Sequence, residues 1–142
     1  MKKIIILWLF SFVATADVLS TSPDKLIDQQ IYTMTSTVDP SYQQCDVTKY
    51  PTIQINADYV GKMVTLIGCG GGNHFEQYFV IVKHDRNGWK IKQVDLVGSD
   101  HEFVVESIKA NPHGYTLIGN KFGPEDGHCC PSVPFTIPVY ID

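Results

Sequence analysis

The sequence predicts an α+β domain, with a short N-terminal helix followed by a mostly antiparallel sheet of six or seven strands, stapled by disulfides. Three observations predict it. Apolar residues recur at helical spacing over about residues 23–35, the apolar period changes to two from residue 52, and four cysteines fall in the part of the chain that reads as exported.

The helix has a start signal in Ser22-Pro23-Asp24: a capping hydroxyl, a proline at the first helical position and an acid in the first turn. Leu26, Ile27, Gln30, Ile31 and Met34 follow at spacings of one helix face, and the β-branched run through Val38 with Pro40 ends it. Residues 39–51 hold two prolines, two tyrosines and Cys45, and read as an ordered loop.

Strand candidates then come in sequence. Ile53 and Ile55 alternate with polar neighbours, Met63 to Ile67 is a short apolar run, and Tyr78 to Val82 reads as a central strand buried on both faces. Asn87-Gly88 is a hairpin signal, expected at positive-φ turn positions before a return strand of Trp89, Ile91, Val94 and Leu96. Phe103 to Ile108, Tyr115 to Ile118 and Phe135 to Tyr140 complete the set, with Asn111-Pro112-His113-Gly114 as a turn.

Lys2 and Lys3, the apolar run Ile4 to Val13 and the small residues Ala14 and Ala16 form the three parts of a secretory signal peptide. The expected organisation is a signal peptide over residues 1–16 and a single exported, β-rich domain over 17–142, periplasmic or extracellular. The apolar run of about ten residues is half what a membrane span needs, so no span is expected after cleavage. Removal of Lys2 and Lys3 moves the net charge from −4 to −6, with nine basic against fifteen acidic residues. That balance and the lack of a basic stripe argue against nucleic acid as a partner.

Cys45, Cys69, Cys129 and Cys130 form an even set, which in an oxidising compartment reads as two disulfides. The favoured pairing ties Cys129 and Cys130 separately to Cys45 and Cys69, because adjacent side chains of an extended segment leave on opposite faces. The alternatives are a vicinal Cys129–Cys130 bridge, whose strained ring suits a redox switch, and free thiols or a metal site.

No catalytic, metal or cofactor site is expected. Gly68-Cys69-Gly70-Gly71-Gly72 lacks the Lys-Ser/Thr of a phosphate loop and precedes a strand rather than a helix. The five histidines show no zinc-ligand spacing, Asp100-His101-Glu102 lies between strands, and Ser132 has no Gly-x-Ser-x-Gly setting. The most unusual string is Glu125-Asp126-Gly127-His128-Cys129-Cys130-Pro131-Ser132: an acid-glycine turn, adjacent cysteines and a proline that fixes the exit into the last strand.

That string, with Asp126, His128, Pro131 and Ser132 around the cysteines and an alternating β segment behind it, resembles the C-terminal signature of the LppP/LprE family of secreted bacterial proteins. The resemblance is specific over Asp126–Ser132 and extends back to about Leu96. It implies an exported bacterial domain with no established activity, and so supplies no catalytic residues. Actinobacterial members are lipoproteins, whereas this leader has no cysteine near the cut, so the resemblance does not imply tethering. The expected function is a non-catalytic, disulfide-stapled module that binds a protein or envelope component. The alternatives are a thiol-redox protein using Cys129-Cys130 and an inhibitor of a secreted cationic hydrolase, toward which the acidic charge would aid encounter.

Overall fold

The computed structural model describes residues 21–36, 45–69, 72, 74–100, 102–127 and 130–141. The signal-peptide segment, His128 and Cys129 lie outside the described residues.

Helix α1 spans Pro23–Ser36, where the spacing places it, and the Ser22 hydroxyl accepts the Lys25 amide at 3.3 Å to cap it. It is the first described element, but 22 residues of chain precede it, so it is not at the N-terminus. Among the described residues eight strands follow, not six or seven: β1 (Asp46–Lys49), β2 (Ile53–Gln54), β3 (Tyr59–Ile67), β4 (Phe75–Asp85), β5 (Gly88–Ser99), β6 (Phe103–Asn111), β7 (Gly114–Lys121) and β8 (Val133–Tyr140). The additional strand is β1, which falls in the stretch expected as loop. All four of its residues are exposed, so no burial alternation marks it, and its pairing with β3 from Asp46↔Ile67 to Lys49↔Val64 is what makes it a strand.

All pairings are antiparallel in the order β1-β3-β4-β5-β6-β7-β8, with β2 also on β3. Alternation along β3 and β4 divides their side chains between two cores. Val60, Val64, Leu66, Val80 and Val82 face α1, where Ile27 and Ile31 are buried among them. Met63, Phe79 and Ile81 face the other way, against Val105, Tyr115 and Leu117 of β6 and β7. Hence β3 and β4 carry near-continuous apolar runs, as expected for strands covered on both faces.

The second covering exists because β5 and β6 part company: they share only the Ser99↔Phe103 pairing. Beyond that corner β6–β8 fold back over the face opposite α1. Buried Gln77 of β4 locks the fold-back. Its amide donates to the Val105 carbonyl at 2.9 Å and accepts the Val105 amide at 2.7 Å, standing in for a missing strand partner. Gly98 makes room, since a Cβ there would collide with the Gln77 Oε1. Farther along, the Tyr115 hydroxyl donates to Asp95 of β5 at 2.6 Å, and its ring packs on Phe79 at a centroid distance of 4.6 Å.

The β4–β5 hairpin forms at the predicted sequence but with a shifted turn. Arg86 and Asn87 make the loop, Asp85 pairs with Gly88, and only Gly88 has positive φ, at +99°. Asn87 therefore does not take the left-handed position expected of it. The Asp85 carboxylate accepts the Asn87 amide at 2.7 Å, which favours a turn opened by Asp85 and followed by a left-handed glycine.

At the last edge, β8 carries Pro134 and Pro138, opposite Asn120 and Thr116. Among the described residues, no helix is long and apolar enough to cross a membrane.

Candidate functional site

The meander places its tight turns at one end and its longer loops at the other. Residues 68, 69, 72, 74, 100, 102, 122–127 and 130–132 share the loop end, together with Cys45 at the start of β1. Most of the residues singled out by sequence gather here.

Cys45 is bonded to Cys69, with Cα atoms 4.7 Å apart. This overturns the expected pairing of each with Cys129 or Cys130. The β1–β3 ladder supplies the reason: with Asp46 opposite Ile67, the two cysteines are brought side by side just past the end of the paired strands. The bond fits an oxidising compartment. Cys130 is also disulfide-bonded.

Asp126 gathers the β7–β8 loop. Its carboxylate accepts the Gly123 amide at 2.6 Å, the Ser132 amide at 2.8 Å and the Ser132 hydroxyl at 2.7 Å. These bonds, that of the Ser132 hydroxyl foremost, hold the Asp126 carboxyl below its usual range. Asp126 and Ser132 thus form one knot, with Cys130 and Pro131 inside the span it closes. Asn87 and Gly88 lie at the opposite, tight-turn end.

The loop end also holds a cluster that local sequence did not reveal. His74 Nδ1 lies 2.9 Å from Asp100, and Nε2 lies 3.7 Å from Glu76 Oε1, whose other oxygen accepts the Tyr78 hydroxyl at 2.7 Å. The Asp100 bond raises the His74 pKa above the ordinary imidazole value, with Glu76 adding to it. Burial, with help from Glu76, pushes the Tyr78 phenol up to about 12. Asp100 is the acid of the Asp100-His101-Glu102 string, but the histidine on it is 26 positions away, so only strand pairing could reveal the pair. The cluster is an ion-paired surface network, with His74 42% exposed. Among the described residues, no group of three His, Cys, Asp or Glu side chains is placed to hold a metal.

A second region has the shape of a binding site. Where β6 crosses the inner sheet, a cleft of about 230 Å³ opens between the layers. Met63 and Phe79 form its floor, Tyr50, Pro51 and Ile53 one wall, Ser107 and Ile108 the other, and Glu106 its rim. Glu106 is exposed and accepts the Asn120 side-chain amide at 2.7 Å on Oε1. The register shift between Val105 and Ser107 on β6 falls at this rim, a bulge placement common beside functional sites. No sequence signal marked the cleft, because its walls come from segments more than fifty positions apart.

The fold and cleft define a class: a two-layer antiparallel β domain, capped on one face by a helix, with an apolar slot between its layers. Comparison of the chain with known protein families, with curated proteins and with solved structures finds no match.

Proposed function

We propose that the chain is an exported, disulfide-stapled, non-catalytic bacterial domain of the LppP/LprE type, and that it binds a protein or envelope component through the cleft between its β layers. The cleft carries this reading. A mostly apolar concavity with a few polar groups at its mouth is the usual form of a recognition site. Export rests on the tripartite leader and agrees with the Cys45–Cys69 bond. Two measurements test the reading. Titration with the neutral aromatic probe 2-phenylethanol should shift the methyl resonances of Met63 and Ile108, and unmoved methyls would reject the cleft as the site. Mass spectrometry of exported material should give an N-terminus at Asp17, while retained Met1 or a fatty-acid adduct would reject the export assignment.

A thiol-redox function is a second reading, favoured by one observation. Cys45 and Cys69 are bonded to each other, so neither is the partner of the Cys130 disulfide, which favours the vicinal alternative over two long bridges. A vicinal pair is strained and readily reduced. Graded reduction by a dithiol, followed by alkylation and peptide mapping, should open Cys129 and Cys130 before Cys45 and Cys69; simultaneous opening would remove this reading.

A further inference from the structure

We infer that the occupant of the cleft is a protein segment that buries one large apolar side chain there and sets a lysine or arginine beside it against Glu106. The inference rests on the cleft being the binding site and adds the chemistry of what enters it. Size is the first argument. Small-molecule sites usually enclose about 300–1,000 Å³, and this cleft of about 230 Å³ is matched to a single side chain of a larger partner.

Surface chemistry is the second argument. The floor is the buried pair Met63 and Phe79, with a soft thioether and a ring that accept an aromatic or long aliphatic group. A side chain seated on them would leave its neighbour at the rim, where Glu106 stands.

Charge is the third. Glu106 is the charged residue among those lining the cleft, and Asn120 fixes one of its oxygens. The amide holds the carboxylate in one orientation at the rim. The net charge of −4 has the same sign and favours approach of a cationic segment.

The test uses three blocked tetrapeptides, acetyl-Gly-Phe-X-Gly-amide with X as Lys, Gln or Glu, together with neutral 2-phenylethanol, all read at the Met63 and Ile108 methyls. Affinity should fall in the order Lys, Gln, Glu, with about two- to five-fold at each step, the range of an exposed ion pair. Glu106→Gln, which keeps an oxygen for Asn120, should collapse the order, and an unchanged thermal midpoint verifies the fold. If 2-phenylethanol binds but the peptides do not, or if the peptide order survives Glu106→Gln, the occupant is not this segment and the cleft reading stands. If no probe binds, both fall.

Discussion

On one face of the β1–β5 layer, α1 lays Ile27 and Ile31 into a bed of valines and leucine; on the other, β6–β8 fold over Met63, Phe79 and Ile81 and leave a cleft. The helix lies on the sheet as one rigid rod, clasped by the Lys62–Asp24 and Lys49–Asp28 ion pairs, both at 2.6 Å. The strand layer is instead hinged at one corner and held by polar pins, the Gln77 amide and the Tyr115–Asp95 bond. The helix face is filled with side chains, and the strand face keeps a cleft.

Five substitutions or conditions break or sharpen that contrast. Phe79→Ala removes the ring that floors the cleft and packs on Tyr115, and should cost about 4 kcal/mol in urea unfolding. Ile27→Ala, on the sealed face, should cost about 3 kcal/mol, and it should leave binding at the cleft intact, whereas the Phe79 variant should not. Gln77→Leu strands the Val105 amide and carbonyl and should cost about 2 kcal/mol. Its signature is faster amide exchange in β6 and β7 than in α1; equal acceleration on both faces would mean that the pin does not act locally. Gly88→Val should cost about 1 kcal/mol by backbone strain alone, since a Cβ there meets nothing within 4 Å. An unchanged thermal midpoint would contradict the left-handed assignment.

The smallest effect belongs to the loop end. His74 has a raised folded-state pKa, so its stabilisation is fully present below about pH 6.5 and is lost as pH rises through the folded value. The stability difference between the parent and His74→Gln should therefore shrink from pH 5.5 to pH 8. A difference that grows over that range would show the sign to be reversed.

What the sequence made legible follows how local each feature is. The helix was readable because its cap and its apolar face lie within fourteen residues. The β4–β5 hairpin was readable from Asn87-Gly88, although the Asp85 side chain moved the left-handed position to Gly88 alone. Strand β1 was not readable, because Asp46-Val47-Thr48-Lys49 is exposed at every position and becomes a strand only by meeting β3. The same pairing decides the disulfide: opposite-face geometry at Cys129 and Cys130 favours two long bridges, but the β1–β3 ladder brings Cys45 to Cys69. The Asp126–Ser132 knot was visible as an unusual string, whereas the His74–Asp100 pair and the cleft join distant segments and left no local mark.

The last strand bears on how the molecule behaves in a crowd of its own kind. Within a sheet, proline is tolerated where the strand's N–H would point outward, and Pro134 and Pro138 share their parity with Thr136 and Tyr140. The outer rim of β8 is thus left with amide donors at Thr136 and Tyr140 only, despite exposed apolar side chains at Ile137 and Tyr140. A second copy approaching strand to strand would find half of the outward amide donors missing, which disfavours the edge-to-edge pairing by which bare edges polymerise.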